Sequence, residues 1–191
     1  PEALLNAAIF FDFRALAGDA SLAAQLRDWL SEQLPSRSMF FLLMAQNAVQ
    51  VRPPLGVLRD FVSDDTELPG TVDLKKFGAR TFVDAARIFA LLHGVSAPNT
   101  AERIRLAAPK MRMHADEAAA IIDSFHFIQL LRLRNQEELH HGGADDERSE
   151  KALFPNRINP DELNALDRRI LKEALRQARK LQSRLELDFK L

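Results

Sequence analysis

Apolar residues recur every three or four positions along most of the chain, a spacing typical of amphipathic helices. The helices predicted from this pattern lie at residues 21–34, 36–50, 81–93, 100–108, 115–141 and 160–185. The helix over 115–141 is the longest, and its middle is apolar nearly all round. We therefore place that helix at the centre of a bundle.

Cap residues mark the start of two of these helices. Asn99 is followed three residues later by Glu102, which is the pattern of a capping box. Asn159 is an N-cap residue, Pro160 suits the first helical position, and two acidic residues fill the first turn. We therefore expect the last helix to begin directly after Asn159.

Three short segments lack the helical spacing. Residues Ile9 to Leu16 are rich in Phe, which favours a strand. Residues 57–62 and 71–75 flank a polar turn, which favours a small β-hairpin. The predicted fold is mainly α, a helical bundle with a short N-terminal strand and a small β-hairpin.

Composition narrows the possible chemistry. The 191 residues include no Cys, which excludes thiol catalysis, zinc ribbons and disulfide frameworks. His140 and His141 are adjacent, so on a helix they point in different directions and do not form a metal-binding pair. The sequence contains no GxSxG motif, P-loop or GxGxxG motif, so it offers no complete catalytic constellation.

The distribution of apolar residues also bears on location. The longest uncharged stretch, residues 38–51, is too short to span a bilayer, and no signal segment opens the chain. We therefore expect a cytoplasmic protein that does not enter a membrane. The first residue is Pro rather than Met, and we interpret the sequence as a piece of a longer polypeptide or as a processed chain.

Charge is balanced overall but not along the chain. The formal net charge is -1, whereas residues 71–114 carry eight basic and three acidic side chains. Two interpretations remain open: segments of opposite charge pack together, or the basic block faces a phosphate-bearing ligand. Double-stranded nucleic acid is not expected as a partner, because the domain is not basic overall and lacks a basic stripe interleaved with aromatic residues.

Polar residues interrupt the central helix. Arg132, Arg134 and Gln136 lie on it, and Arg132 follows Ile128 on the apolar stripe. An Arg buried there without a partner would cost about 3–5 kcal/mol, so a carboxylate or an anionic ligand must meet it. An internal salt bridge and a ligand-facing pocket both satisfy this requirement. The acids available for a salt bridge are Asp73, Asp84 and Asp123.

Other candidate polar residues precede the central helix. Asp73 and Lys75 lie on one face of the predicted hairpin strand, where, with Arg87, they order a polar site or neutralise one another. Arg103 lies in the first turn of a helix, where free N–H groups and the helix dipole favour an anion. Helix capping alone is the alternative explanation for the neighbouring Asn99.

Short motifs keep a recognisable order over nearly the whole chain. They are IFFDFR (9–14), PLG (54–56), DLK (73–75), VDAAR (83–87), HG (93–94) with NTAER (99–103), LRLR (131–134) with Gln136, and LKEA (171–174) with LQ (181–182). In combination they resemble the nucleotidyltransferase substrate-binding domain family. In bacterial signalling proteins this domain follows a catalytic domain similar to that of the PII-protein uridylyltransferase, often behind cyclic-nucleotide-binding and CBS modules.

The resemblance implies a C-terminal helical domain that positions an acceptor for metal-dependent nucleotidyl transfer. It divides the chain into residues 1–18, the terminal strand of a preceding nucleotidyltransferase domain, and residues 19–191, the substrate-binding domain. The missing catalytic domain would be the main partner, with the CBS and cyclic-nucleotide-binding modules and a protein acceptor as further ones. The piece alone is expected to be inactive, and an oligomer is compatible with the sequence.

The resemblance also implies cofactors and site residues. Mg²⁺ and a nucleoside triphosphate would bind the intact protein and not this piece alone. Asp12 would be the third carboxylate of a two-metal site, hence catalytic and metal-binding; the alternative is a capped or paired strand-end acid. The residues that we expect to bind substrate are Asp73, Lys75, Arg87, Arg103, Arg132 and Gln136.

Two functions of other classes stay open. The domain is alternatively a helical regulatory or protein-interaction module, which exposed apolar surface on the last helix would favour, or a structural bundle that shields the catalytic domain. Both alternatives predict an internally paired Arg cluster. The substrate-binding hypothesis predicts an open concave surface beside Asp73 and Arg132.

Overall fold

The computed structural model describes residues 10–56, 61–62, 68–141 and 153–191, apart from the side chains of Pro35, His140 and His141. Within these residues the chain forms six α-helices and one two-stranded sheet. The helices are α1 (Ala20–Gln33), α2 (Ser38–Val49), α3 (Arg80–Leu92), α4 (Thr100–Ala107), α5 (Ala115–His141) and α6 (Ala165–Phe189). The strands are β1 (Val72–Asp73) and β2 (Arg157–Ile158). The mainly α prediction is confirmed.

Local cap chemistry explains where several helices begin. Asp19 accepts a 2.8 Å hydrogen bond from the Ser21 N–H at the start of α1. Asn99 accepts a 3.1 Å bond from the Glu102 N–H at the start of α4, as its capping pattern predicts. A π-helical turn, Lys75–Ala79, leads directly into α3.

The last helix begins later than expected, at Ala165. Asn164 is its cap. The Asn164 side chain accepts a hydrogen bond from the Asp167 N–H and donates one to the Asp167 carboxylate, and each bond is 2.9 Å long. Asn159 instead accepts from the Asp161 N–H at 3.0 Å within a preceding turn. The prediction that α6 begins after Asn159 is therefore wrong, because Asn159 and Asn164 both offer cap chemistry and the later one starts the helix.

The sheet confirms a strand at residues 72–73 but gives it a distant partner. Val72 pairs with Ile158 and Asp73 with Arg157 in antiparallel register. The predicted hairpin partner was residues 57–62; of these, 57–60 lie outside the described residues, and 61–62 are not in a strand. A hairpin is a local inference, whereas the observed pairing joins positions far apart in sequence.

The N-terminal Phe-rich run is not a strand in the described residues 10–16. Phe10 is helical, a turn follows at 11–12, and residues 13–16 have no regular structure. Its rings pack against helices: Phe11 and Phe40 of α2 have centroids 5.5 Å apart, and the Arg27 guanidinium of α1 lies 5.4 Å from the Phe13 centroid. The Phe content of this run predicted a strand, but in the structure Phe11 and Phe13 pack against helices α2 and α1.

The chain divides into two compact units. Unit 1 comprises the described residues up to 50 together with 83–119 and 182–191, and its core includes Phe41, Ile88 and Leu185. Unit 2 comprises the described residues of 51–82 and 120–181, and its core includes Leu74, Phe82, Ile128, Leu171 and Leu175. No helix within the described part of the chain is both long and apolar enough to cross a membrane.

Candidate functional site

Three of the predicted functional residues meet in unit 1. The Asp12 carboxylate accepts hydrogen bonds from Nε of Arg87, at 3.3 Å, and from Nη2 of the same guanidinium. Nη2 of Arg103 lies 2.7 Å from Oδ1 of Asp12. The predicted catalytic acid and two predicted substrate-binding arginines thus form one cluster, which we call the Asp12 cluster.

Both guanidinium groups of the Asp12 cluster are buried and held from two sides. Arg87 is 6% exposed, and its Nη1 lies 3.0 Å from Oδ1 of Asp84, one turn earlier on α3. Arg103 is 4% exposed, and its Nε donates a 2.7 Å hydrogen bond to the Ala97 carbonyl oxygen. Burial of two cations is tolerated because these fixed oxygens replace the lost water.

The two arginines also set the charge state of Asp12. Partial burial alone would raise the pKa of the Asp12 carboxyl. The hydrogen bonds and positive charges of Arg87, and then those of Arg103, outweigh burial and hold that pKa below its ordinary value of 3.8. Asp12 is therefore ionised at neutral pH and neutralises part of the cluster's positive charge.

The surroundings of Asp12 do not suit a divalent cation. Its carboxylate oxygens face two buried guanidinium groups, whose positive charge would repel Mg²⁺. Within the described residues, no three His, Asp or Glu side chains come together in a possible metal site. We therefore assign no metal-dependent step to Asp12 in this arrangement.

Sequence reasoning missed a third arginine beside the Asp12 cluster. Nη2 of Arg27 donates a 3.2 Å hydrogen bond to the Phe13 carbonyl oxygen, next to Asp12 in the chain. A small cleft of about 20 Å³ lies here, lined by Phe11, Phe13, Arg27 and Arg103 among others. No motif marks Arg27, since its role depends on how the Phe-rich run folds back onto α1.

In unit 2, Arg132 and Gln136 converge on Asn156. Oδ1 of Asn156 accepts from Nε and Nη2 of Arg132, at 3.0 and 2.9 Å, and from Nε2 of Gln136 at 3.4 Å. Nη1 of Arg132 donates to Oε1 of Gln129 at 2.5 Å. Neutral amide oxygens thus bind Arg132 where a carboxylate or an anionic ligand was expected, and they suffice because Arg132 is only half-buried.

Asn156 also ties this network to the sheet. Its backbone carbonyl accepts a 2.9 Å hydrogen bond from the Leu74 N–H, next to β1. The neighbouring Asp73 carboxylate accepts hydrogen bonds from the backbone N–H groups of Lys75 and Lys76. Each bond is 2.8 Å long, and together they cap the π-helical turn. The Lys75 side chain is exposed. Asp73 therefore has a local structural role here, and the contact of Asp73 and Lys75 with substrate remains a prediction.

An open cavity of about 270 Å³ lies in unit 2. It is bounded by α5, by β2, and by the turn that precedes α6. Its polar lining residues are Thr71, Arg134, Asn135, Glu138, Arg157, Asn159, Glu162, Asn164 and Asp167. The six residues predicted to bind substrate are not among its lining residues, although Arg132 and Gln136 lie on the same helix as Arg134.

The cavity side chains are held in place by local bonds. Nη1 of Arg134 lies 3.4 Å from Oδ2 of Asp167. Nδ2 of Asn135 donates a 3.0 Å hydrogen bond to the Pro155 carbonyl oxygen. Nη1 of the buried Arg157 donates to Thr71 Oγ1 at 3.4 Å. A concave polar surface is therefore present in unit 2, but it is not the one predicted beside Asp73 and Arg132, since neither residue lines it. Arg87, Arg103 and Arg132 are paired within the chain, as the two alternative functions predict.

The structure is thus a mainly helical domain with a polar cavity in unit 2. Residues 38–189 match the sequence model of the family described as Putative nucleotidyltransferase substrate binding domain. The matched residues make up most of the chain, and the chain belongs to this family. Comparison with the curated proteins gives no match, and comparison with the solved structures gives none either. The match includes the cavity, Arg87 and Arg103, whereas α1 and Asp12 lie outside it.

Proposed function

We propose that this chain holds the acceptor substrate for nucleotidyl transfer by a catalytic domain that lies elsewhere in the same polypeptide. The observation that carries the proposal is the open polar cavity of unit 2, which lies within the residues matched to the substrate-binding family. Binding at a fixed place raises the local concentration of the acceptor and orients its reacting group, and this alone accelerates transfer.

The chemistry of the cavity favours the acceptor over the nucleotide. Its ionisable lining residues are two arginines and three acids, so the lining carries a formal excess of negative charge that opposes a triphosphate. Hydrogen-bonding groups of Asn135, Asn159 and Asn164 suit a polar, uncharged or zwitterionic group. A volume of about 270 Å³ lies near the lower end of the range of roughly 300–1,000 Å³ for small-molecule pockets, so it suits a side chain or a small polar molecule.

The remaining parts of the reaction belong to the rest of the polypeptide. Mg²⁺ and a nucleoside triphosphate would be bound by the catalytic domain, which we propose is uridylyltransferase-like and bacterial. Cyclic-nucleotide-binding and CBS modules would connect it to a cytoplasmic signal. This chain would then contribute the binding and orientation of the acceptor, which can be a protein side chain.

The test uses the full-length protein with an α-³²P-labelled nucleoside triphosphate, Mg²⁺ and an extract of the source cells as the supply of acceptor. Arg134→Ala should lower transfer about tenfold, since a hydrogen bond to a charged group contributes about 1.5–3 kcal/mol. Arg176→Ala is a matched control: the Arg134 and Arg176 side chains are 51% and 52% exposed and each pairs with an acid, but Arg176 does not line the cavity.

Two outcomes would contradict the proposal. If both variants transfer label equally well, the cavity does not bind the acceptor. If the full-length protein transfers no nucleotide under any of these conditions, the acceptor has no reaction to serve. Asp12→Ala in the same assay tests the predicted catalytic role of Asp12, and unchanged transfer would remove Asp12 from the catalytic site.

One observation favours an interaction module as a second function. Leu22, Leu26 and Trp29 are exposed along one face of α1, and none of the α1 residues is buried. On α6, Leu171 and Leu175 are buried, whereas Leu166, Ile170 and Leu187 are exposed. Because α1 precedes the matched residues, we propose the preceding catalytic domain as the partner of this face.

Trp29 is the only Trp in the chain, so its fluorescence reports directly on this face of α1. If the catalytic domain covers the face, Trp29 emission should shift to shorter wavelength in the full-length protein relative to the 191-residue chain, after correction for any other Trp. Leu26→Ser should reduce the shift. An identical spectrum in both proteins would show that α1 is not a docking surface for that domain.

A further inference from the structure

Three arginines from separate helices of unit 1 converge on one short segment of the chain. Arg87 of α3 and Arg103 of α4 bind the Asp12 carboxylate, and Arg27 of α1 binds the adjacent Phe13 carbonyl oxygen. A two-residue segment thus meets cations from three helices. Such convergence of guanidinium groups is the arrangement by which proteins bind phosphate.

The hydrogen bonds show what would remain if Asp12 moved away. Arg87 would keep Asp84, and Arg103 would keep the Ala97 carbonyl oxygen. Nε and Nη2 of Arg87 and Nη2 of Arg103 would then point toward the position that the carboxylate had occupied. Those N–H groups match the oxygens of a phosphate group, which accepts paired guanidinium bonds as a carboxylate does.

Exposure shows how a ligand would reach these groups. The Asp12 side chain is 34% exposed, whereas the side chains of Arg87 and Arg103 are 7% and 5% exposed. Asp12 is therefore the most solvent-exposed of the three side chains. The cleft beneath Phe11 and Phe13 holds about 20 Å³, which is room for about one water molecule. A phosphate group would have to take the place of the Asp12 carboxylate.

We propose that Arg87 and Arg103, with Arg27 at the edge, form a binding site for a phosphate group, and that Asp12 is an internal competitor which fills the site in the absence of ligand. The residues of this site do not line the acceptor cavity, and the proposal does not depend on the function proposed for that cavity. It gives Asp12 a role different from that of a metal ligand. The ligand class is a diphosphate or triphosphate, free or attached to a nucleoside.

Calorimetric titration of the 191-residue chain with inorganic pyrophosphate at low salt tests this site. Asp12→Asn preserves the size of the side chain and removes the competing charge. A competitor that occupies the site more than about 90% of the time weakens apparent affinity at least about tenfold, so Asp12→Asn should bind pyrophosphate at least about tenfold more tightly than the wild type. Adding Arg103→Gln to that variant should abolish the gain.

Asp188→Asn is the matched control. Asp188 pairs with Arg184 in the same unit, with Nε and Oδ2 2.9 Å apart, and the substitution changes the net charge by the same amount. If Asp12→Asn binds pyrophosphate no more tightly than Asp188→Asn, the proposal is wrong. UTP compared with pyrophosphate identifies the source of the phosphate: equal affinity shows that the phosphates alone are recognised, and tighter binding of UTP shows that a nucleotide is preferred.

A second measurement avoids any dependence on how well the variants fold. In the wild-type chain, the Nε–Hε NMR resonances of Arg87 and Arg103 should shift on addition of pyrophosphate, because their hydrogen-bond acceptor changes. The Arg184 resonance serves as the internal reference. Shifts of Arg87 and Arg103 no larger than that of Arg184 would overturn the proposal. The cavity variant Arg134→Ala should leave these shifts unchanged, so this site and the acceptor cavity can fail independently.

Discussion

Two groups of residues accommodate arginine in opposite ways: the Asp12 cluster of unit 1, and the Asn156 network of unit 2, formed by Arg132, Gln129, Gln136 and Asn156. In the first, a full negative charge sits between two buried guanidinium groups. In the second, the half-buried Arg132 rests on the amide oxygens of Asn156 and Gln129. A site that already holds an anion must exchange it to bind another, whereas a neutral network beside an open cavity leaves that cavity accessible.

The contrast also separates stability from binding. A charge-assisted hydrogen bond is roughly twice as strong as a neutral one, but it creates a large penalty when one partner is removed. Substitutions in the Asp12 cluster should therefore lower the free energy of unfolding more than substitutions of cavity residues do. This difference in stability can be tested by removing the carboxylate from the Asp12 cluster and by placing a carboxylate in the Asn156 network.

The largest effect should come from Asp12→Ala. The substitution leaves Arg103 buried without its carboxylate and Arg87 with Asp84 alone. We expect the free energy of unfolding to fall by about 3 kcal/mol, measured by urea denaturation at pH 7. Asp161→Ala, which breaks the exposed pair with Arg168, should cost less than about 0.5 kcal/mol. Equal losses in the two variants would remove the distinction between the buried cluster and the surface.

Acid should erase part of the same stabilisation. Because the folded-state pKa of Asp12 lies below its ordinary value of 3.8, the contribution of its charge is fully present above that value and is lost as pH falls through the folded pKa. The difference in unfolding free energy between wild type and Asp12→Asn should be constant near neutral pH and shrink below about pH 4. Urea denaturation between pH 2.5 and 7 measures it, and a difference that widens in acid would contradict the assignment.

Asn156→Asp should make the network of unit 2 resemble the Asp12 cluster. The new carboxylate would still accept from Arg132 and Gln136, now with charge assistance, and should raise the free energy of unfolding by about 1 kcal/mol at pH 7. Asn156→Ala should lower it by about the same amount, because Arg132 loses two bonds. If Asn156→Asp instead lowers the free energy of unfolding, the prediction is wrong, and Arg132 and Gln136 require a neutral acceptor at position 156.

The smallest effect on stability should come from Arg134→Ala in the cavity wall. Its pairing with Asp167 is half-exposed, so the unfolding free energy should change by less than about 0.5 kcal/mol. The same substitution should lower nucleotidyl transfer about tenfold, as argued above from the bond it would make to the acceptor. A large loss of stability would mean that the cavity wall is structural, and the transfer assay would then no longer report on binding.

Local features of the fold were predictable from the sequence, and distant contacts were not. The Asn99 cap and the long helix ending at His141 depend on residues a few positions apart, and both are confirmed. The pairing of Val72 with Ile158 joins segments that share no local signal, so a nearby hairpin was predicted instead. Asn159 misled because its side chain has the same cap chemistry as Asn164.

The candidate site shows the same division. The family resemblance assigned Asp12 to catalysis and Arg87 and Arg103 to substrate, with a paired acid and an internally paired Arg cluster left open as alternatives. The structure pairs Asp12 with both arginines, a contact that no local pattern specifies. Asn156 was missed because a single Asn in a connecting segment carries no pattern. Arg132 was expected to need a carboxylate or an anionic ligand because its burial was overestimated; this half-buried cation instead binds the amide oxygens of Asn156 and Gln129.

The match to the family begins at residue 38, and Asp12 lies well before it. The residues matched to the family therefore do not include Asp12, the acid that pairs with the buried Arg87 and Arg103. A chain trimmed to the matched residues would retain Arg87 and Arg103 but leave behind the counterion they share. Such a shortened protein would have to recruit an anion from its buffer, and phosphate or sulfate would be the additives of choice for purifying and crystallising it.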